Sequence, residues 1–176
     1  MILLIQNMDI ISFESRKDTA LIYSNLAKKN INSFAQHVVS HLFIINELIH
    51  AYLNAEVALH CGVMLRESIR FAEVIRYILL ENHETLLWPF IDSYLHLPNF
   101  DVASDGFNTF KDILLSPSHK AIINEFFDLF GEQFLKKFEV TSSRPLPARR
   151  PLTLALPLSR PRSFCAARTT SQGDAR

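Results

Sequence analysis

Histidine and cysteine side chains are the first candidates for chemistry in this sequence. His37 and His41 are four residues apart, so on a helix they would share one face and could hold a metal ion together. No carboxylate or cysteine is spaced to complete a tetrahedral ligand set with them. His60 and Cys61 are adjacent, and on a helix they would point about 100° apart, which does not suit a nucleophile and its base. We therefore interpret the histidines as hydrogen-bonded or solvent-facing and Cys61 as a packed thiol.

Aspartates after residue 100 come close to a calcium-binding EF-hand loop without completing it. Asp101, Asp105, Gly106 and Asp112 fall at the first, fifth, sixth and twelfth positions of such a loop. Its third position is Ala103 rather than Asp or Asn, and its twelfth is a short Asp in place of a bidentate Glu. The chain has four glycines, and none lies in a phosphate-binding loop. We predict a protein that is not an enzyme and that holds no metal ion and no cofactor.

A cap, a spacer and an acid recur three times along the chain and define the elements that would position functional side chains. Ser12-Phe13-Glu14, Asn54-Ala55-Glu56 and Asn99-Phe100-Asp101 each join an N-cap residue to an acid suited to the positive end of a helix. Counted from each cap, the same apolar positions recur, namely Tyr23, Leu65 and Phe110, then Ala27, Ile69 and Leu114. The repeats are 42 and 45 residues long, within the armadillo/HEAT period of roughly 40–47. We predict an all-α, armadillo/HEAT-like helical repeat solenoid, with its outer repeat helices near residues 13–29 and 100–115.

The central repeat helix is predicted to run from Asn54 to Arg70. Its apolar positions form two adjacent stripes, a pattern typical of a helix buried between two neighbours. The stripes consist of Val57, Cys61, Met64, Leu65 and Ser68, and of Ala58, Gly62, Leu65 and Ile69. Glu56, His60 and Glu67 share the opposite side with Arg70. We expect a buried helix with one solvent-facing edge.

Three further segments are predicted to be helical, and each contains a point of interest. Residues 34–53 hold either one long helix or two short ones. In residues 84–96, Pro89 either kinks a helix interior, at a cost of about 3 kcal/mol, or occupies the first turn of a helix that starts late. We favour the second interpretation. Residues 118–138 are rich in phenylalanine, and we expect Gly131 to divide them into two helices.

Charge divides the chain into two parts. Residues 1–140 carry 11 Lys and Arg against 17 Asp and Glu, a net charge of −6, whereas residues 141–176 carry 7 Arg and one acid, a net charge of +6. The acidic body argues against nucleic acid as a partner, because phosphate binding needs a basic face. The start has no basic segment of the kind that precedes a signal peptide core, and no apolar run reaches the roughly 18 residues of a membrane span. With Cys61 and Cys165 interpreted as unpaired thiols, we predict a cytoplasmic protein.

The second part also differs in composition. Residues 141–176 hold five of the eight prolines and contain no Ile, Asn, Lys or Tyr. Proline at this spacing prevents helix formation, and the segment cannot bury a core. We predict that residues 1–140 form the repeat body and residues 141–176 a disordered Arg/Pro-rich tail. The tail is either a genuine segment or an out-of-frame or misjoined reading, since its residues are those of GC-rich codons whereas the body favours AT-rich ones.

The function of a solenoid resides in the continuous surface that its equivalent helices present. Arg66, Glu67 and Arg70 lie on the solvent-facing edge of one predicted repeat helix, and Lys111 and Asp112 lie at the corresponding edge of the next. These five residues are our candidates for contact with a partner protein. The alternative is a solvated helix face, on which intrahelical ion pairs contribute a few tenths of a kcal/mol.

Three segments carry a resemblance to a known family. ISFESRKDTALIYSNL, AEVALHCGVMLRESIR and NFDVASDGFNTFKDILL, between residues 11 and 115, resemble the signature helices of the calcium-binding protein 39 family, also called Mo25-like scaffolds. The resemblance extends over about residues 1–138. It implies a non-enzymatic, armadillo-like scaffold that binds and allosterically activates protein kinases of the sterile-twenty class or STRAD-type pseudokinases. It also implies that the bound kinase domain is held in a closed, active-like form.

The chain departs from the family pattern at both ends, since it starts inside an early repeat and differs after the Phe-rich segment. Family members continue through several more repeats, which hold a pocket for a partner's C-terminal Trp-Glu-Phe tripeptide, and this sequence has the Arg/Pro segment instead. We expect the last repeat to leave Phe127, Phe130, Phe134 and Phe138 partly uncovered, which favours self-association. Two alternatives to a kinase scaffold stay open at this point, namely a generic helical-repeat adaptor and a truncated family member without function.

Overall fold

The computed structural model of the chain describes residues 1–29 and 31–142, and these residues are almost entirely helical. The α-helices in chain order are α1 (Ile2–Gln6), α2 (Phe13–Lys29), α3 (Ile31–Val39), α4 (Phe43–His50), α5 (Ala58–Ser68), α6 (Ala72–Arg76), α7 (Trp88–Asp92), α8 (Phe100–Leu115) and α9 (Lys120–Ser142). Short 3₁₀ turns cover Ala51–Leu53, Tyr94–His96 and Pro117–His119, and π-helical turns cover Tyr77–Glu81 and His83–Leu87. The described residues contain no β-strand, and the predicted all-α helical repeat fold is confirmed. The predicted tail lies outside the described residues, except for its first two positions, which end α9.

Helix α5 lies at the centre of the repeats, because it packs against α2 on one side and α8 on the other, with α4 as a further neighbour. The three positions that recur along the sequence, Tyr23, Leu65 and Phe110, are all buried, and Leu65 is fully buried. Ala27 and Leu114, from the second set of recurring positions, are also buried. The repeat predicted from spacing is thus a repeat of packing, in which equivalent positions of α2, α5 and α8 share one core.

Side-chain caps begin the two outer repeat helices at the predicted residues. The Ser12 hydroxyl accepts the backbone N–H of Ser15 at 3.3 Å, and the Asn99 side chain accepts the N–H groups of Asp101 and Val102 at 3.0 and 3.3 Å. Each cap satisfies donors that have no partner within the helix. The ranges predicted for α2 and α8 are accordingly confirmed.

The central helix is shorter than predicted at both ends. The Asn54 side chain accepts the N–H of Glu56 at 3.1 Å, so it caps a turn. The backbone oxygen of Asn54 then accepts the N–H of Ala58, where α5 begins. At the other end α5 stops at Ser68, because Phe71 adopts an extended backbone with ψ 131° before α6 begins. The predicted range, 54–70, therefore included a turn at each end.

The structure shows where the helices begin and end in three segments of the chain. Residues 34–53 belong to two helices, α3 and α4, and the 3₁₀ turn after them. Pro89 lies in the first turn of the short helix α7, where its missing N–H leaves no bond unmade. The break expected at Gly131 was wrong, since α9 runs through it without interruption. The cost of one glycine in a helix, about 1 kcal/mol, is small beside the packing of a 23-residue helix.

A buried arginine joins the start of the chain to the turn before α5. The Arg16 guanidinium donates to the backbone oxygens of Met8 at 2.8 Å and Asp9 at 2.9 Å. It also donates to the Glu56 carboxylate at 3.1 Å. The side chain is 9% exposed, so three groups from two distant segments satisfy one buried charge. We term this arrangement the Arg16 clamp.

Aromatic side chains attach α9 to the preceding segments. Phe126 is fully buried, and its ring lies 6.2 Å from Trp88 and 6.0 Å from His83, measured between ring centroids. Phe130 lies 4.0 Å from the His83 ring. Lys137 closes this side with an ion pair to Asp92 and a position 5.7 Å above the Trp88 ring. Outside this inner face, several apolar side chains of α9 are exposed: Phe127, Leu129, Leu135, Phe138 and Val140.

Candidate partner-binding surface

Arg66, the first of the predicted contact residues, is held between two helices. From α5 its guanidinium reaches α8, where it pairs with the Asp105 carboxylate at 2.8 Å and donates to the Thr109 hydroxyl at 2.9 Å. The Arg66 side chain is 27% exposed and that of Asp105 15% exposed. Both bonds use one terminal nitrogen of the guanidinium, so its other N–H groups keep their capacity to donate. Arg66 is a fixed, half-buried donor rather than a mobile surface side chain.

Tyr52 completes a ring of hydrogen bonds below Arg66. Its hydroxyl donates to the second Asp105 oxygen at 2.7 Å and lies 2.8 Å from the Thr109 hydroxyl. Because the only Tyr52 proton goes to Asp105, Thr109 donates to Tyr52 and in turn accepts from Arg66. Burial, followed by the nearby Asp105 charge, raises the pKa of Tyr52 far above its ordinary value, so the phenol stays a neutral donor. The ring satisfies every polar group that it buries.

Gly62 allows the two helices to approach closely enough for this ring. A Cβ atom at Gly62 would collide with the Asp105 carboxylate and lie 2.7 Å from the Tyr52 hydroxyl. The absence of a side chain at this position is therefore a condition for the contact between α5 and α8. We use the term polar ring for Tyr52, Gly62, Arg66, Asp105 and Thr109 together.

Glu67 and Arg70 form the adjoining part of the surface toward α2. The Glu67 carboxylate is 15% exposed and receives the Arg70 guanidinium at 2.9 Å and Lys28 of α2 at 3.4 Å. Arg70 remains 56% exposed. One terminal nitrogen of Arg70 carries the pair with Glu67, which leaves its remaining donors directed outward. Glu67 is thus an anchor for two cations, and Arg70 is an accessible one.

Lys111 and Asp112 are exposed on α8 and stand opposite the end of α5. Together with Arg66 and Arg70 they line one surface cleft of about 350 Å³. Its apolar lining comes from Ile69, Leu115 and Pro117. The structure therefore brings four of the five predicted residues to one cleft, while Glu67 supports Arg70 from outside its lining.

The other sequence candidates have identifiable surroundings. The His41 ring nitrogen is 2.8 Å from the backbone oxygen of His37, four residues earlier. Cys61 is buried, and burial raises the pKa of its thiol to about 12, which keeps it in the unreactive thiol form at neutral pH. The segment that approaches an EF-hand sequence is the continuous helix α8, in which Asp105 belongs to the polar ring. In the part of the chain that the structure describes, no group of three or more His, Cys, Asp or Glu side chains is arranged to hold a metal ion.

Sequence reasoning missed several residues that shape this surface. Tyr52 carries no sequence signal, because its partner Asp105 is 53 residues away and the tyrosine lies in a turn after α4. Gly62, Asp105 and Thr109 lie inside the signature segments. Those segments therefore included the residues but did not indicate that they contact one another. The apolar lining of the cleft was also missed, because no pattern in the sequence indicated that Leu115, the last residue of α8, is 69% exposed.

Stacked repeat helices with a shared core and a polar edge define this chain as a helical-repeat protein. None of the helices within the described residues combines the length and apolar character needed to cross a membrane. The chain belongs to the Mo25-like family, whose sequence profile matches residues 1–144. The resemblance seen in the signature segments is thereby confirmed.

The relatives of this chain include proteins of animals, fungi and plants. Over 142 residues the chain is 33% identical to the calcium-binding protein 39-like protein of Mus musculus, which covers 79% of this chain and 40% of the mouse protein. It is 36% identical over 141 residues to the Mo25-like protein of Schizosaccharomyces pombe, covering 78% of this chain and 41% of the yeast protein. With MO25-like protein 2 of Caenorhabditis elegans the identity is 29% over 152 residues, 84% of this chain and 43% of that protein. The chain spans about two fifths of the length of these relatives.

Proposed function

We propose that this chain is a non-catalytic scaffold that binds a protein kinase of the sterile-twenty class or a STRAD-type pseudokinase and favours its closed, active-like form. Membership of the Mo25-like family supports the scaffold part of this proposal. The kinase part rests on the resemblance of the signature helices. It concerns the activity of a whole protein, whereas this chain spans about two fifths of the length of its mouse and S. pombe relatives. The partner is proposed to contact Arg66, Glu67, Arg70, Lys111 and Asp112.

One observation carries the choice of surface. Arg66 is held by Asp105 at 2.8 Å and Arg70 by Glu67 at 2.9 Å, and both guanidinium groups line the same cleft as Lys111. Side chains that are already ordered lose less conformational entropy when a partner binds. A solvated helix face needs no such supports, whereas a contact surface gains affinity from them. The support offered by the polar ring therefore favours a binding surface over a merely solvated one.

The test uses the chain and a purified sterile-twenty-class kinase domain. Binding is measured by calorimetry and kinase activity is measured with a peptide substrate, for the natural chain and for an Arg70→Glu/Lys111→Glu variant. We expect the variant to bind at least about tenfold more weakly, a difference of about 1.4 kcal/mol, and to activate less. Lys136→Glu, at an exposed cation on α9 that lines a different cleft beside Trp88 and Asp92, is the control and should bind like the natural chain. Equal binding by all three proteins would contradict the proposed surface, and no binding by any of them would contradict the function.

We also propose that residues 1–140 form the repeat body that carries the five contact residues, that residues 141–176 form a tail outside it, and that the protein acts in the cytoplasm. The family match to residues 1–144 supports the first point. We expect limited digestion with trypsin to cleave after Arg149, since the bond after Arg150 precedes Pro151 and resists trypsin. Kinase binding should survive this cleavage. Its loss, with the repeat body intact by mass, would show that the second part of the chain takes part in binding.

A further inference from the structure

The cleft between the ends of α5 and α8 combines positive charge with an apolar lining. Arg66, Arg70 and Lys111 contribute the cations, and Ile69, Leu115 and Pro117 contribute the apolar part. A volume of about 350 Å³ lies at the lower end of ligand pockets, which range over roughly 300–1,000 Å³, and suits one or two side chains rather than a whole domain. Leu115 is 69% exposed, which is high for a leucine at the end of a packed repeat helix.

We propose that this cleft receives a short acidic segment of a partner protein, in which a single Asp or Glu carboxylate lies beside a Leu, Ile, Met or Phe side chain. The carboxylate would contact the donors of Arg70 and Lys111, and the neighbouring apolar side chain would cover Leu115 and Pro117. This inference rests on the proposed function, because it specifies what the scaffold surface recognises in its partner.

The guanidinium geometry supports recognition of a carboxylate. Arg66 and Arg70 each use one terminal nitrogen to bind an acid within the protein, at 2.8 and 2.9 Å respectively. The rest of each planar fork retains donors that suit the two oxygens of a carboxylate. The Asp105 and Glu67 anchors hold the forks in place and are themselves only 15% exposed, so they do not occupy the cleft.

The charge balance favours a monoanion over a phosphate dianion. Asp105 neutralises Arg66, and Glu67 is shared by Arg70 and Lys28. Among the described residues no acid lies within ion-pair distance of Lys111, so its ammonium group can pair with a bound anion. Asp112 is part of the lining and would repel two negative charges more strongly than one. A carboxylate therefore matches the site better than a phosphorylated side chain.

A random-peptide phage library selected on the natural chain tests this inference without a known partner. Counter-selection on an Arg70→Gln/Lys111→Gln variant removes peptides that bind elsewhere. We expect the enriched peptides to place Asp or Glu next to an aliphatic or aromatic residue. A synthetic peptide of the enriched sequence should lose about tenfold in affinity when its acid becomes the amide. It should lose a similar factor against Lys111→Gln, whereas Lys136→Gln, on a different cleft of α9, leaves binding unchanged. Lys111 is exposed, so its substitution should leave the melting temperature unaltered.

Several results would overturn the inference: no enrichment over the variant, enriched peptides without an acid, or tighter binding when a phosphoserine replaces the acid. Competition with the kinase domain separates this inference from the proposed function. If the selected acidic peptide binds through Lys111 but does not displace the kinase domain, the cleft chemistry stands and the proposed kinase surface fails. If the kinase domain binds through the cleft and acidic peptides do not, the inference fails and the function stands.

Discussion

Helices α5 and α9 differ in how far they bury their apolar side chains. Helix α5 has a neighbour on each side, and its two apolar stripes are buried while its charged edge is paired. Helix α9 has its neighbours on one face, where Phe126 is fully buried, and exposes Leu129 and Leu135 to more than 60% each. Apolar residues on a repeat helix are thus buried only to the extent that adjacent repeats supply a partner for each face.

The comparison also separates two kinds of surface. On α5 the accessible cations Arg66 and Arg70 are held by specific acids, so this part of the surface has a defined geometry before anything binds. On α9 the accessible side chains include several large apolar ones, and apolar contact is non-directional. The first surface is suited to select a partner, and the second to associate with whatever apolar surface is offered.

Truncating a leucine on each helix should give the largest difference in the free energy of unfolding between the two helices. Leu65→Ala on α5 removes a fully buried side chain and should lower the free energy of unfolding by about 2–5 kcal/mol. Leu135→Ala on α9, where the side chain is 61% exposed, should change it by no more than about 0.5 kcal/mol. Urea titrations of the two variants and the natural chain measure both values. A similar loss for both would mean that the faces of one helix are wrongly assigned.

Adding one methyl group to a glycine on each helix should change stability in opposite directions. Gly62→Ala forces a Cβ against the Asp105 carboxylate and the Tyr52 hydroxyl, and it should destabilise by about 1–3 kcal/mol. Gly131→Ala meets nothing closer than Phe127 at 3.9 Å, so the better helix propensity should stabilise by about 0.5–1 kcal/mol. Thermal unfolding of both variants gives the signs. A stabilising Gly62→Ala would show that α5 and α8 are less closely packed than described.

The contact between His83 and α9 should make stability depend on pH. Burial, opposed by the Glu84 charge, lowers the pKa of His83 below its ordinary value. Its neutral form therefore contributes stability that is fully present above the unfolded-state pKa of about 6.5 and is lost as pH falls through the lower folded-state pKa. His83→Phe should flatten the slope of unfolding free energy between pH 7 and about pH 5, whereas His96→Gln, at an exposed histidine, should not.

Part of the dependence of the unfolding free energy on pH comes from His60 on α5 rather than from His83 and its contact with α9. Burial and the Arg16 charge also lower the pKa of His60, so a smaller slope of the same sign should persist in His83→Phe. An unchanged slope in that variant would show that His83 is accessible to water in the folded chain.

The smallest expected effect on stability concerns the exposed face of α9. We predict that the chain self-associates through this face, and that Leu135→Gln/Phe138→Gln shifts it toward monomer while the free energy of unfolding changes by about 0.5 kcal/mol. Leu21→Gln on α2, with 59% exposure, is the matched control. Sedimentation over a range of concentrations measures the association. If the control dissociates the chain as well as the α9 variant does, α9 has no special role.

The repeat itself was predictable from sequence, whereas the boundaries of its central helix were not. Caps and recurring apolar positions such as Tyr23 and Leu65 are local signals, and they located α2, α5 and α8 in advance. The turn at Asn54 uses the same residue type as a helix cap, so the sequence cannot separate the two without the backbone hydrogen bonds of Ala58. The predicted break at Gly131 failed because local sequence was given too much weight. The tertiary packing of α9 outweighs one unfavourable residue.

The candidate site was predictable in part. Charged positions at the same place in successive helices identified Arg66, Arg70 and Lys111, and spacing alone suggested their common surface. The polar ring depends on pairs such as Tyr52 and Asp105, which are 53 residues apart in sequence, and on the space left by Gly62. No periodicity encodes such a pair, because it arises from the way two helices cross.

The Arg16 clamp has a consequence for the way the chain opens. Helix α1 has five residues, of which only Ile5 is buried, so by itself it should open easily. Releasing α1 together with the turn after it would break the Arg16 bonds to Met8 and Asp9 and leave a buried guanidinium with fewer partners. This segment should therefore open together with the start of α2, and its backbone amides should exchange with deuterium at the rate of that helix rather than faster.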